Sequence, residues 1–557
     1  MSVEQAVEPK TVQIPMRDGA LLAGDLYLPG PGRHPTLIRK TPYDRRRDAI
    51  VPEIEAFAAH GYAVLVVSFR GRFGSQGNYN AWRSEGWQEL QDGYDTIEWA
   101  AEQPWSTGAV GTWGVSADGE CQLNTAPTKP PHLKAMVVSY AANARVGLMD
   151  GGALTHTGPL WHEKNGAFSL PLRTREDWDR WLAQWRDTGM PLMVSFVHTA
   201  LLEPLLNAET DAYWRDFDPA SRYDDFDVPV LYECGWYDRY TRTQFNHFAG
   251  VREQAPEAAR AGQRLICGPW VHGGNLAPET DNVTFAEEAV IDRIALHLRW
   301  FDHWLKDEDN GVAEEPAMRL YMLGADEWID VPVWPPAEPP VPYFLRAGDG
   351  AAEGSLNGGV LSTEPPADEA PDAYVHDPHD PVPTIGGHGG TGWIWAAGPL
   401  DQRPAEERCL TFTTEPSAGE LRIVGVPVVV LHAASSAVDT DFVATISRVH
   451  ADGYSELVEQ KAVRARYRNG YGNPTFLEPG AVEELEIVLG PVALRIAPGE
   501  CLRLTIASSC FPAFIPNAGT AEPVHLASAA VKATNTIHHD RVRPSHVLLP
   551  LQGTDAS

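Results

Sequence analysis

The chain has 557 residues, too many for one compact domain, so two or three domains are expected. Its 75 acidic and 44 basic residues leave a formal charge of −31, which excludes a broad polyanion-binding surface, and no Lys/Arg-rich run restores one. At 43% hydrophobic and 21% charged residues the chain can build large cores, which excludes wholesale disorder.

The first third alternates strand-like and helix-like segments. Leu21–Leu28 reads as a strand, Thr36–Arg39 as a short second one, Glu53–His60 as a helix and Tyr62–Phe69 as a buried strand rich in valine. Glu85–Gln103 carries Leu90, Ile97 and Ala101 at helical spacing, and Val110–Trp113 is another short strand. This alternation predicts a mostly parallel sheet with helices on both faces. From about residue 144 to 223 the strand pattern disappears. There Trp178, Trp181, Leu182 and Trp185 fall on one face of a helix, to be used either for helix packing or as a wall of a substrate pocket.

Strand signals return at Val228–Cys234 and Arg264–Cys267, and Phe285–Leu305 places Ile294, Leu298, Phe301 and Leu305 on one helical face. Six prolines between Val331 and Tyr343 then mark a domain boundary. Beyond it come short β-rich runs, among them Glu420–Val424, Val428–His432, Phe442–Val449, Val482–Leu489 and Cys501–Ala507. Separated by Gly, Pro and Asp turns, they predict an all-β sandwich or jelly roll.

The longest strongly apolar stretches, Tyr62–Phe69 and Val426–Ala434, are far shorter than the roughly 18 residues of a membrane span. The segment MSVEQAVEPK has no basic cluster ahead of an apolar run, and the six cysteines stand singly without a CxxC pair. A soluble cytoplasmic protein is expected, with neither nucleic acid nor membrane as a partner.

One segment carries a chemical signal. Gly111-Thr-Trp-Gly-Val-Ser116-Ala-Asp-Gly119 follows a strand and precedes a segment, Glu120–Thr125, that can be helical. A serine at a sharp strand-to-helix turn has the geometry of a nucleophile elbow, and small residues at 114 and 119 let the backbone fold tightly there. The spacing is G-x-S-x-x-G rather than G-x-S-x-G, so the motif needs support from elsewhere. Pro229-Val-Leu-Tyr-Glu-Cys-Gly-Trp-Tyr-Asp238 is a strand ending in an acid, and Arg264-Leu-Ile-Cys-Gly-Pro-Trp-Val-His272 is a strand ending in a histidine. In a parallel sheet both side chains lie at the carboxyl edge, with the serine. The order Ser, Asp, His fits a hydrolase in which His272 takes the Ser116 proton and Asp238 orients the imidazole.

These segments, with Met16-Arg-Asp-Gly19, Thr41-Pro-Tyr-Asp44, Arg70-Gly-Arg-Phe-Gly-Ser75, Asp92-Gly-Tyr-Asp95 followed by Trp99, and the loop Asp377-Pro-His-Asp-Pro-Val-Pro-Thr384, resemble the CocE/NonD family of serine hydrolases over essentially the whole chain. The resemblance implies an α/β-hydrolase core (1–143 and 226–335), an inserted helical cap (144–225) and a C-terminal jelly roll (336–557). It implies Ser116, Asp238 and His272 as the triad, with the Tyr43 hydroxyl and the Ala117 backbone N–H as oxyanion hole. The family usually has tyrosine where this chain has Ala117, which implies a roomier or differently shaped acyl site.

The family's α-amino-acid ester hydrolases hold an ammonium with acids just after the catalytic aspartate. Here Arg239, Tyr240, Thr241 and Arg242 follow it, so amino esters are not the expected substrates. Arg239 or Arg242 could instead meet a substrate carboxylate, against the alternative of solvated surface arginines. Trp178, Trp181 and Trp185 are the other candidate substrate contacts. A carboxylic ester of moderate size is the expected small-molecule substrate, with amide or peptide cleavage, lactone cleavage and acyl transfer open. A non-catalytic ligand-binding protein on the same scaffold is the alternative of another class.

Neither a cofactor nor a metal is expected. Gly386–Gly392 lacks the Gly-Lys-Ser/Thr of a phosphate loop, and His376, Asp377, His379 and Asp380 read as a structural turn. Monomer and homodimer are both open.

Overall fold

The computed structural model describes residues 8–80, 82–141, 144–155, 207, 210–274, 279–280, 283–348, 354–388, 395–523 and 529–553. Ten strands form the first sheet: β1 (Lys10–Pro15), β2 (Leu21–Tyr27), β3 (His34–Thr41), β4 (Ala63–Ser68), β5 (Ser106–Val115), β6 (Leu133–Ser139), β7 (Val230–Tyr237), β8 (Arg264–Val271), β9 (Met318–Met322) and β10 (Glu327–Val331). Their order is β1-β2-β4-β3-β5-β6-β7-β8-β9-β10. Every pairing from β4 through β3, β5, β6, β7 and β8 to β9 is parallel, and both edges of the sheet are antiparallel. A parallel run needs crossovers, so helices cover both faces, and central strands such as β4 (AVLVVS) are buried along their whole length.

The helices that bear on the site are α1 (Val51–Ala59), α2 (Asp92–Ala101), α3 (Ala117–Thr125), α4 (Thr241–Gln254) and α5 (Arg293–Lys306). Two of them are shorter than the periodicity predicts. The expected helix over Glu85–Gln103 begins only at Asp92. Ahead of it the chain turns, because Glu85 is buried to pair with Lys40 at 2.7 Å and the Asp92 N–H bonds the Ser84 carbonyl at 2.7 Å. The expected helix over Phe285–Leu305 starts at Arg293, where the Asp292 carboxylate caps it by accepting the Ala295 N–H at 3.0 Å. The face that periodicity assigned survives, with Leu298, Phe301 and Leu305 buried.

Strands β1, β6, β9 and β10 are additional to the segments legible in the sequence. Between β6 and β7 the described residues hold a one-turn helix (Ala144–Leu148), a hairpin of two-residue strands (Met149–Asp150 and Ala153–Leu154), a second short helix (Asp211–Arg215) and a 3-10 segment (Pro219–Asp225). The hairpin adds strand structure where the pattern suggested none. Trp178, Trp181 and Trp185 lie outside the described residues.

After β10 the chain crosses the proline-rich segment and enters a second, largely antiparallel sheet at Val341–Arg346. This sheet has eleven strands, beside a smaller one of three. The predicted runs appear as Leu421–Gly425, Val428–Ser435, Asp441–Val449, Val482–Val488 and Cys501–Ala507. The β-rich unit docks directly on the first sheet. The Leu323 N–H bonds the Ala493 carbonyl at 2.8 Å, the Arg495 N–H returns to the Leu323 carbonyl at 2.8 Å, and the Tyr237 hydroxyl bonds the Leu457 carbonyl at 3.3 Å. Among the described residues no helix is long and apolar enough to cross a membrane.

Candidate active site

Strand β5 ends at Val115, and the next residue, Ser116, is forced to φ 62°, ψ −123° before α3 begins at Ala117. A non-glycine residue there is strained, by an amount of order 1–3 kcal/mol, and persists only where its surroundings impose it. Hydrogen bonds on both sides do so. The Ser116 N–H bonds the Ser139 carbonyl at the end of β6 at 2.9 Å, and its own carbonyl accepts the Gly119 and Glu120 N–H groups at 2.8 and 2.9 Å. The flanking glycines are steric requirements. A Cβ on Gly114 would sit 2.6 Å from the Asp118 carbonyl oxygen, and one on Gly119 would sit 2.9 Å from the Ala141 Cβ.

Asp238 follows β7 and His272 follows β8, so both stand at the carboxyl edge where Ser116 stands. The Asp238 carboxylate is fully buried, and its Oδ1 meets His272 Nδ1 at 3.2 Å while accepting the Tyr240 N–H at 3.2 Å. A carboxylate on Nδ1 fixes the ring so that Nε2 is the nitrogen left to exchange a proton. Tyr140, the residue after the Ser139 that anchors Ser116, places its ring edge-on to His272 at 5.8 Å. Tyr240 does the same at 5.6 Å. The imidazole thus has two tyrosine rings against it.

Tyr43 packs, with Tyr79, against a cluster of Phe69, Trp82, Ala117 and Cys121, to which the first residue of α3 belongs. The Arg47 guanidinium lies over the Tyr43 ring, 4.8 Å from its centroid. Arg47 is fastened in turn to the buried Asp118 carboxylate at 2.7 Å, and Arg39 Nε reaches the same oxygen at 2.7 Å. Arg39 continues to Glu53 at 2.7 Å, and Glu53 to Arg293 at 2.6 Å. Burial alone would raise the Glu53 carboxyl, but Arg39 and Arg293 bring it down to about 2. Asp118 is the second residue of α3 and also the anchor of this chain of pairs.

Glu120 is a different case. It is buried one turn beyond Ser116 with no cation paired to it among the described residues, and burial, with Asp218 nearby, pushes its carboxyl well above the usual range. Sequence reasoning missed Glu120, Tyr140 and the Arg39/Arg47 pair. Only adjacency to the motifs could have flagged the first two, and nothing local could have flagged the arginines.

Of the two candidate arginines, Arg242 donates to the Val488 carbonyl of the β-rich unit at 2.8 Å. Arg239 has a 3.5 Å contact with the Gly147 carbonyl and lies over the Tyr240 ring at 5.2 Å. The four residues of the Pro-rich turn have separate partners. His376 bonds the Asn517 carbonyl at 3.2 Å, Asp377 takes Lys532 at 2.6 Å and accepts the His379 N–H at 3.0 Å, and Asp380 pairs with Arg408 at 2.9 Å.

Comparison with known proteins places the chain among hydrolases. The profile of the X-Pro dipeptidyl-peptidase (S15) family matches residues 18–274, and that of the X-Pro dipeptidyl-peptidase C-terminal non-catalytic domain matches residues 310–548. The chain is 31% identical to the cocaine esterase of Rhodococcus sp. (strain MB1 Bresler), covering 97% of this chain and 98% of the relative. Among solved structures it is similar to an α-amino acid ester hydrolase at a TM-score of 0.84 and 24% identity, covering 99% and 98% of the two chains. It is also similar to a CocE/NonD family hydrolase of Staphylococcus aureus at a TM-score of 0.70 and 18% identity, covering 98% and 93%. These two likenesses establish the α/β-hydrolase fold with its β-rich C-terminal unit.

Proposed function

Since the chain belongs to the CocE/NonD family of serine hydrolases, within the X-Pro dipeptidyl-peptidase (S15) grouping, we propose that it cleaves carboxylic esters through Ser116, His272 and Asp238. The observation that carries this reading is the strained Ser116 on the sheet edge that also bears the Asp238–His272 hydrogen bond. A binding protein has no need of that combination.

In the proposed reaction Ser116 Oγ attacks the ester carbonyl as His272 Nε2 takes its proton. The oxyanion that forms meets the Ala117 N–H, at the amino end of α3, and the Tyr43 hydroxyl. His272 then protonates the departing alcohol, and water, activated by the same imidazole, releases the acid. Asp238 stabilises the imidazolium while it carries the extra proton. Ala117, with only a methyl group beside the nucleophile, leaves room for an acyl group of moderate size. The domain limits at 144, 226 and 336, the cap formed by 144–225 and the jelly-roll form of the C-terminal unit are part of this proposal. So is a reducing, cytoplasmic setting, in keeping with six free cysteines of which five are buried.

The test is labelling with a fluorophosphonate, then peptide mapping, beside Ser116→Ala. An adduct on the Ser116 peptide that is absent from the variant supports the reading. A folded protein that takes no label from probes of several sizes refutes it, and leaves a binding scaffold.

A further inference from the structure

Where the first sheet, the hairpin after it and the β-rich unit meet lies an open cleft whose lining includes Arg239, the residue after Asp238. Asp150, Arg239, Thr384, His388, Gln460 and Lys461 are among the residues lining it. Lys461 reaches the Asp150 carboxylate at 2.9 Å, and His388 faces Glu459 at 3.4 Å. Burial would raise Asp150, but Lys461, Arg242 and Arg239 bring it down to about 2, so it stands as a carboxylate already engaged by Lys461.

Arg239 acts on Asp150 through space but makes no direct ion pair of its own among the described residues. Among the described residues no carboxylate lies within ion-pair distance of it, its one hydrogen bond is the 3.5 Å contact with the Gly147 carbonyl, and its Nε is buried without a partner. A half-buried guanidinium with unused donors is costly unless an anion completes it, and its planar fork matches a carboxylate in two parallel bonds. The position ties the cleft to the chemistry. Arg239 stands between Asp238 and Tyr240 in the chain, its guanidinium lies over the Tyr240 ring, and that ring touches His272.

We propose that this cleft receives a carboxylate carried by the substrate at a distance from the scissile ester, with Arg239 as its anchor and Lys461 also in its lining. The assignment rests on the ester-hydrolase reading and narrows it to esters bearing a remote acid group. The reaction itself is unchanged: water and a half-ester give a dicarboxylate, an alcohol and a proton, or, where the acid is on the alcohol, a simple carboxylate, a hydroxy carboxylate and a proton.

Two matched pairs distinguish the side that carries the acid: p-nitrophenyl hydrogen glutarate against p-nitrophenyl pentanoate, and 4-acetoxybutanoate against butyl acetate. The expected result is a charged-to-neutral ratio of kcat/KM above ten for one pair, falling at least tenfold in Arg239→Gln. In Arg239→Lys, which keeps the charge but loses the fork, the ratio falls severalfold, and this variant serves if the glutamine variant does not fold. Neutral substrates preferred in both pairs, or a ratio indifferent to Arg239, overturn the proposal. Free glutarate separates the two layers of the argument. If no ester is turned over but glutarate raises the thermal midpoint of the wild type and not of Arg239→Gln, the cleft stands and the esterase reading falls. If glutarate has no effect either, the cleft falls too.

Discussion

Asp118→Asn tests whether α3 is held by charge. The wild-type carboxylate is fully buried, and one oxygen receives both Arg39 Nε and Arg47 Nη2 at 2.7 Å. Removing one partner of a buried ion pair costs about 3–5 kcal/mol, because the other partner is left charged without water. Here the loss belongs at the low end. Arg39 keeps Glu53 at 2.7 Å, and Arg47 keeps the Thr41 hydroxyl at 2.8 Å and is about a quarter exposed. The expectation is therefore about 3 kcal/mol, read as a fall in the urea midpoint of tryptophan fluorescence.

A second readout follows from position. Arg47 lies over the Tyr43 ring, so releasing it from Asp118 loosens the hydroxyl proposed as an oxyanion donor. The ceiling on that effect is complete loss of the donor, about 2.7–4 kcal/mol. A loosened donor should cost less, roughly tenfold in kcat with KM little changed. An Asp118→Asn protein that unfolds at the wild-type midpoint and turns over normally would refute the ion-pair account of this helix.

Three other outcomes are expected. Tyr43→Phe should lower kcat by about 10²–10³ with little change in KM, since the hydroxyl is needed in the transition state more than in binding; near-normal kcat removes Tyr43 from the oxyanion hole. Gly114→Ala should abolish turnover and lower the thermal midpoint, because its Cβ would press on the Asp118 backbone at 2.6 Å; a normal midpoint with full activity contradicts the elbow geometry. Glu120 is held above the ordinary carboxyl range, so the fold binds its proton more tightly than the unfolded chain does. Its contribution is complete below the ordinary carboxyl pKa and is lost as pH rises from there through the raised value. Glu120→Gln should therefore gain stability over wild type as pH rises across that window, and parallel stability curves for the two proteins would show that Glu120 ionises normally.

How much of this was legible in the sequence depended on how local the physics was. Strand β4 is a run of valines buried on both faces, and the β-rich strands after residue 420 alternate between turns, so both declared themselves. Strand β1, at the sheet edge, and β6, with Lys134 inside it, carry weaker patterns and did not. The elbow was legible because its serine follows a strand and Gly114 answers to Asp118 four residues on, although the closest neighbour of Gly119, Ala141, is 22 residues away. Asp238 and His272 were legible because each ends a recognisable strand. The pairs that hold the site were not, since Arg39 and Asp118 stand 79 residues apart and Asp150 and Lys461 stand 311 apart. Helix starts went astray for a related reason. Periodicity marked the buried face of α5 but not the Asp292 cap that begins it, and it could not foresee Glu85 leaving the α2 pattern to reach Lys40.

The helix that follows the serine shows why such pairs are there. Every residue of α3 is buried, yet Asp118, Glu120, Gln122 and Asn124 are polar, so no apolar stripe can orient it. Gln122 is used up by Thr112 at 2.7 Å and by the Asp118 and Val137 carbonyls at 3.0 and 3.1 Å, and Asp118 by two arginines. Directional bonds of this kind fix rotation and register, which non-directional apolar packing does less sharply. That matters at this point in the chain, because the residue immediately before the helix holds a backbone conformation costing of order 1–3 kcal/mol. The Asp118 pairs are of comparable size, and they act on the first turn of the same helix. Relaxation of Ser116 would have to drag that turn away from Arg39 and Arg47, so the strain at the proposed nucleophile and the buried charges behind it are two parts of one device.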